Sequence, residues 1–336
     1  MNEQMKYCLA LDIGGSKVAI ALMDPAGIVN GEICIFPVPF DPSGIADPQR
    51  LIALIRPFVD QARQNEIELL GFGLSLCGTV DEETGEAVLN SNLHWRNLPF
   101  GRMLRQTFDL PVHAATDVRQ AALAEHLWGV ARDVCNFAWC TIGTGYGGYL
   151  YLEDRMYGGR HGFAGNFGHI TLDEIHGDLC GCGRRGCFET FVAGPAISRQ
   201  GQAAVDSGRS PMLAQMAGGN PVTTRMVIQS EAAGDPAAAE IMNQVIRLIS
   251  INLGGVVNLL DLEMIVMGGG VVNSTPDFVQ RIQTRIRDYL MTDEAKRDLV
   301  IVKESFSNSA LFGAAADFFI REGILPPETA RKRCIG

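Results

Sequence analysis

The sequence predicts an α/β protein built from two related domains that face each other across a cleft. Three observations carry this expectation. Two short apolar runs, 7–13 (YCLALDI) and 17–23 (KVAIALM), flank the turn Gly14-Gly15-Ser16, and a third run follows at 28–37. The same order restarts at 137–142 (FAWCTI), 148–152 (GYLYL) and 155–157. In each half a later run ends on glycine: 69–76 at Cys77-Gly78, and 264–267 at Gly268, Gly269 and Gly270. Paired short runs around a glycine turn are a hairpin signal. The repeat is one of architecture and is weak in residue identity.

The remaining elements follow from local pattern. Residues 49–64 (QRLIALIRPFVDQARQ) place apolar side chains at helical spacing, with Pro57 as a site for a kink. After strand 69–76 come a helix near 99–107, a strand at 111–115 and a helix at 118–129. That last helix closes the first half and is the natural crossing point. In the second half a long helical segment, 236–259, leads into strand 264–267.

The chain has 336 residues, of which 47% are apolar and 20% charged, enough for a sizeable core. A net charge of −10 repels phosphate backbones, so nucleic acid is not an expected partner. The start, MNEQMKYCLALDIGG, lacks the pattern of a signal peptide. The apolar stretch 248–272 contains Asn252, Asn258, Asp261 and Glu263, which argues against a membrane span. A cytoplasmic location without membrane partners is expected. The nine cysteines should then mostly be thiols. Cys8, Cys34, Cys77, Cys135 and Cys140 lie in apolar, strand-like runs and read as small buried residues.

Gly143, Gly145 and Gly148 match G-x-G-x-x-G literally. A dinucleotide site needs a helix directly after the glycines. Here YLYLEDRMYGG follows and alternates like a strand, so no nicotinamide or flavin is expected. A glycine hairpin can still present backbone N–H groups to phosphate, and Thr144 adds a hydroxyl. One such loop reads as an ordinary turn; two in repeated halves point to phosphate. The first loop also carries Asp12, Ser16 and Lys17. An aspartate at a strand end suits hydrated Mg²⁺, and Lys17 would offset phosphate charge. No Walker A pattern occurs. The expectation is a nucleotide clamped between two domains, outside the P-loop class.

The stretch GNFGHITLDEIHGDLCGCGRRGC (165–187) holds Cys180, Cys182 and Cys187. Cys180 and Cys182 are too close for an easy disulfide, and a redox pair is more often C-x-x-C. Three thiolates and one imidazole make a closed tetrahedral set suited to structural Zn²⁺. Gly181, Gly183 and Gly186 would let the chain fold tightly around the ion. His169 and His176 compete as the fourth ligand.

Taken together, LDIGGSK, TIGTGYGG, the G-x-x-G-H segment and C-x-C-x₄-C-x-E resemble the ROK family of bacterial sugar kinases and regulators, over essentially the whole chain. The resemblance implies two ribonuclease-H-like domains of the actin and hexokinase type. One would span 1–117, completed by a C-terminal helix at about 309–336; the other would span 118–308 and carry the zinc loop. It implies an enzyme that uses ATP and Mg²⁺ to phosphorylate a sugar hydroxyl, usually at C6, commonly as a homodimer. Asp12, Gly14, Gly15, Ser16 and Lys17 match one phosphate loop. Thr141, Gly143, Thr144 and Gly145 match the second. Gly268, Gly269 and Gly270 match the border of the adenosine site, with Gly313 and Ala314 nearby. Asp117, which alone reads as a helix N-cap, matches the catalytic aspartate. Gly78, Asp117, His169 and Glu189 match positions that line the sugar, which favours His169 as zinc ligand.

Asp117 would accept the hydroxyl proton as the new bond forms. Two positions depart from the family pattern. Thr116 stands where asparagine is usual, and Asn166 where glutamate is usual. Both altered positions normally bond sugar hydroxyls, and Asn166 both donates and accepts where a carboxylate only accepts. A hexose or a substituted hexose such as an N-acetylhexosamine is the expected substrate, and plain glucose is less expected than the resemblance alone implies. A catalytically weak sugar sensor without a DNA-binding domain is the alternative, since the first strand begins by about residue 7.

Overall fold

A computed structural model describes residues 5–326. Internal contacts divide the chain into two compact units. One runs as far as Asp133 and includes Asp154–Met156 and the chain from Ser305; the other comprises Val134–Glu153 and Tyr157–Glu304. The division therefore falls later than the 117/118 boundary and earlier than 308. Of the C-terminal helix expected at 309–336, residues 327–336 lie outside those described.

The first unit opens with β1 (Lys6–Ile13), β2 (Lys17–Met23), β3 (Cys34–Pro37), α1 (Pro48–Gln64) and β4 (Glu68–Leu76). It continues with β5 (Thr79–Asp81), β6 (Glu86–Asn90), β7 (Trp95–Leu98), α2 (Phe100–Phe108), β8 (Val112–Thr116) and α3 (Asp117–Leu127). Its main sheet has the order β3-β2-β1-β4-β8. The hairpin strands pair antiparallel, whereas β1, β4 and β8 are parallel. A second sheet, β5-β6-β7, has no counterpart in the sequence reading.

The second unit holds β9 (Phe137–Ile142), β10 (Tyr146–Leu152) and the last residue of β11 (Arg155–Tyr157), then α4 (Glu189–Val192), α5 (Gly194–Asp206), α6 (Pro211–Ala217), α7 (Thr224–Ala232) and α8 (Pro236–Leu260). After these come β12 (Met264–Gly268), α9 (Gly270–Ser274), α10 (Phe278–Arg285), α11 (Asp293–Asp298) and β13 (Val300–Lys303). Its sheet order is β11-β10-β9-β12-β13. Here too the hairpin pair β9–β10 is antiparallel, while β12 lies parallel to β9 and β13. The two main sheets thus share one topology. The final helix, α12 (Ser309–Arg321), returns to the first unit.

Side-chain alternation distributes the first core. Leu9, Leu11 and Ile13 of β1 pack with Leu51, Ile55, Val59 and Leu104 of α1 and α2. Cys8 and Ala10 point the other way, onto Leu311, Ala315, Phe318 and Phe319 of α12. Helix α1 starts because Asp47 Oδ1 accepts from the N–H groups of Gln49 and Arg50, with Pro48 at its first position. Pro57 does not end it. Pro57 and Ala53 are both exposed, so the carbonyl that loses its partner faces water. Helix α8 is similarly capped by Asp235, which also accepts from the Ser210 and Ser230 hydroxyls. Among the described residues no helix is long and apolar enough to cross a membrane. Cys135, expected to be a thiol, is disulfide-bonded.

Gly313, expected near the nucleotide, is instead buried where α12 crosses α3. A Cβ there would lie 1.6 Å from the Gln120 carbonyl oxygen, so the residue serves helix packing and offers no ligand-facing surface. Ala314 is likewise fully buried. Gly313→Ala is expected to lower the unfolding free energy by about 1–3 kcal/mol in urea titrations, because neither backbone can give way.

Candidate functional site

The carboxyl ends of β1, β4 and β8 carry the first cluster. Register places Asp12 beside Ser75, and Leu76 beside Thr116. The Ser75 hydroxyl donates to Asp12 Oδ1 at 2.7 Å. Thr116 is the N-cap of α3, and Asp117 occupies its first turn, where Oδ1 accepts from the Val118 N–H at 2.9 Å. The structure therefore moves the cap from Asp117 to Thr116. Burial pushes the Asp12 carboxyl up to about 6, even against the Ser75 hydrogen bond. It pushes Asp117 up to about 7, and the neighbouring Asp12 charge adds to the rise. Cys77 is pushed up to about 12, first by burial and then by the Asp117 charge. Two carboxyls and a thiol thus share one poorly solvated neighbourhood.

The first glycine turn borders this cluster. The Gly14 N–H donates to the Lys17 carbonyl, and Ser16 and Lys17 are exposed. Gly15 packs against Asn92, whose Cβ lies 2.7 Å from where a Gly15 Cβ would sit. Gly78 takes a positive φ of 87° after β4. The turn it makes is held by Asn90, whose side-chain amide donates to the Cys77 carbonyl at 2.6 Å. Asn90, Asn92 and Ser75 were not singled out from the sequence. The run LNSNLHW does carry two asparagines between apolar residues, a usable turn signal.

In the second unit the other glycine turn closes through the Gly143 N–H to the Gly145 carbonyl, with Thr144 exposed at its tip. Gly268 pairs with Thr141, and Gly269 leaves 2.5 Å between its absent Cβ and Thr141 Oγ1. Glu304, also unforeseen, accepts from the Gly269 N–H and the Asn273 amide. A cavity of about 510 Å³ opens beside these turns, lined by Gly143, Thr144, Ser198, Thr224, Arg225 and Gly270 among others. A larger groove of about 1400 Å³ lies along α5, α8 and α10. Three of its arginines are paired with carboxylates, Arg209 with Glu240, Arg281 with Glu231 and Arg285 with Asp288, and it is lined by no glycine turn. It reads as a solvated surface.

The cysteine loop brings His169, Cys180, Cys182 and Cys187 together, with all four ligand atoms within 4.8 Å of one another. Cys180 Sγ is 3.5 Å from His169 Nδ1, and Cys182 Sγ is 3.6 Å from Cys187 Sγ. A tetrahedral zinc site with Zn–S near 2.3 Å requires edges of about 3.6–3.8 Å, so the donor set fits such an ion. His176 is exposed and faces Asp173 instead. The loop needs Gly186 most: its φ is +70°, and a Cβ would lie 1.7 Å from the Asp173 carbonyl oxygen. Gly181, expected to matter equally, borders open space. Glu189 Oε2 accepts from the Tyr146 N–H at 2.9 Å, while Oε1 is 3.4 Å from Cys180 Sγ. Asn166 is exposed, and its amide donates to the Phe163 carbonyl.

The acid pair sets a pH dependence. Against an ordinary carboxyl value of 3.8, folded Asp12 and Asp117 keep their protons up to about 6 and 7. The native state then binds more protons than the unfolded chain across that window, so stability falls as pH rises through it. Asp117→Asn removes the larger penalty. Its thermal midpoint should exceed that of the unaltered protein at about pH 8, and the gain should vanish near pH 4. A gain independent of pH in scanning calorimetry would contradict the assignment.

The ROK family model matches residues 8–320. The chain is 26% identical over 317 residues to a glucokinase of Streptomyces coelicolor, covering 93% of this chain and 97% of the relative. It is 29% identical over 267 residues to an N-acetylmannosamine kinase of Vibrio cholerae, covering 78% and 83%. Among solved structures, a ROK family transcriptional regulator, a homologue of the E. coli MLC protein, matches with a TM-score of 0.83 and 27% identity, over 98% of this chain and 82% of that one. With the family pattern running from β1 to the end of α12, the chain belongs to the ROK family.

Proposed function

We propose that this chain is an ATP-dependent sugar kinase that transfers the γ-phosphoryl group to a hydroxyl, at C6, of a hexose or a substituted hexose such as an N-acetylhexosamine. The observation that carries the reading is Asp117 at the end of β8, with its carboxyl raised to about 7. A base with that affinity is matched to taking a hydroxyl proton near neutral pH. Phosphoryl transfer otherwise asks mainly for positioning and charge stabilisation. In this reading Asp12 holds the hydrated Mg²⁺ that accompanies ATP. The turns at Gly14 and Gly143 offer N–H groups to phosphate, and the cavity beside Thr144 and Gly270 takes the adenosine. Gly78, Thr116, Asn166, His169 and Glu189 contact the sugar, in two ribonuclease-H-like domains of a homodimer.

Asn166 supports a substrate other than plain glucose. Its amide donates to the Phe163 carbonyl, where a glutamate would set a carboxylate against that oxygen. The loop is therefore matched to a neutral group that can donate.

We further propose that His169, Cys180, Cys182 and Cys187 hold a structural Zn²⁺ with no open position. The purified protein should carry about one zinc per chain by elemental analysis, and Cys182→Ser should lose it.

A coupled assay of ADP release over hexoses and N-acetylhexosamines tests the kinase reading. Turnover is expected on at least one sugar, and Asp117→Asn should lower kcat by about 10²–10⁴-fold with zinc content unchanged. Absence of turnover on every sugar, in folded zinc-loaded protein, would sink it. The similarity to a transcriptional regulator favours a second reading, a sugar sensor. Sugar binding by calorimetry with no ATP consumption and no effect of Asp117→Asn would support that reading.

A further inference from the structure

Tyr146 follows the glycine turn directly and is 2% exposed. Its backbone end is held directly by the segment that carries the cysteines, and its hydroxyl end reaches the segment that carries His169 through Asn252. Its backbone N–H donates to Glu189 Oε2 at 2.9 Å, and the other oxygen of that carboxylate lies 3.4 Å from Cys180 Sγ. Its hydroxyl donates to Asn252 Oδ1 at 2.8 Å, inside α8. The Asn252 amide, in a residue 4% exposed, donates to the Phe167 carbonyl at 3.2 Å. Phe167 opens the short 3₁₀ turn Phe167–His169, whose last residue supplies the imidazole of the cluster. The backbones touch as well. A Cβ on Gly168 would lie 1.7 Å from the Tyr146 carbonyl oxygen, so the turn that carries His169 is pressed onto the strand that leaves the glycine turn.

A buried hydrogen-bond chain of this kind has few alternative arrangements, since any broken link strands a polar group away from water. The two segments therefore order together. We propose that Tyr146 and Asn252 are positioning residues that couple the His169–Cys180–Cys182–Cys187 site to the glycine turn at Gly143 and Gly145, so that metal binding and nucleotide binding strengthen each other. The coupling rests on the zinc and nucleotide roles proposed above. By linkage it acts equally in both directions.

The test uses the full chain loaded with Zn²⁺. Metal release to excess chromogenic chelator is timed with and without a saturating non-hydrolysable ATP analogue and Mg²⁺. The analogue is expected to slow release by at least about 5-fold. Tyr146→Phe should bring that ratio close to one while the variant keeps its zinc and its circular dichroism, which a merely structural role would not produce. Equal release rates with and without the analogue, in a sample that binds it by calorimetry, overturn the proposal. If calorimetry detects no analogue binding, the nucleotide reading fails, and hydrogen exchange decides the coupling alone. The Gly145 and Tyr146 amides should then exchange faster after zinc is stripped, with β1 and β4 unchanged. No change, or an equal rise throughout the chain, counts against the coupling.

Discussion

Parallel pairing of β1 with β4, and of β9 with β12, is the constraint on which the rest of the molecule depends. A parallel pair cannot be closed by a short hairpin, so each strand must leave the sheet at the same end as its neighbour. In the first unit those exits are Asp12 to Gly14, Cys77 to Gly78, and Thr116 to Asp117. In the second they are Ile142 to Gly143 and Gly268 to Gly269. The register Asp12↔Ser75 is what gives the carboxylate its hydrogen bond. A slip by one residue would turn Asp12 to the opposite face and scatter the cluster.

Two acidic groups, half-buried Asp117 and buried Asp317, show how surroundings decide the outcome of desolvation. At Asp117, desolvation and the Asp12 charge outweigh the nearby N–H groups, and the carboxyl is raised to about 7. At Asp317, desolvation is again the largest single effect, yet Arg119 and Arg321 together hold the carboxyl below its ordinary value. Their guanidinium nitrogens lie 2.9 and 3.1 Å away. The Asp317 group ties α3 to α12 and serves the fold. The Asp117 group lacks such partners and costs stability, a pattern common where a titratable group has chemistry to perform.

The loop between β11 and α4 poses a different problem. It has little regular structure, and its large apolar side chains Ile170, Ile175 and Leu179 are 48%, 76% and 66% exposed. Its strand-like pairing among the described residues is limited to the isolated bridges Thr171↔Cys187 and Leu179↔Arg185. A segment that buries so little needs another source of order. Four converging donors supply the geometry for one, since metal binding free energy becomes folding free energy. Through Glu189 and Asn252, Tyr146 links this loop to the neighbouring strand.

Much of this was legible from the sequence because it is encoded between near neighbours. Alternation over 7–13 and 17–23, helical spacing over 49–64 and the cysteine spacing at 180–187 are all local patterns. The repeated order of runs even anticipated that two sheets would share one topology. The β5-β6-β7 sheet escaped because its strands are three to five residues long and its register depends on cross-strand partners. The packing of Gly313 on Gln120, the support of Cys77 by Asn90 and the pairing of Tyr146 with Asn252 join residues 193, 13 and 106 positions apart. The raised acidity range of Asp117 is of the same kind, since it arises from burial and from a strand distant in sequence. By itself the sequence determined periodicity, turns and ligand spacing, which depend on neighbours along the chain. Only the tertiary structure decided which polar groups lose water and which partner each one finds, because desolvation and register exist only once distant segments have packed.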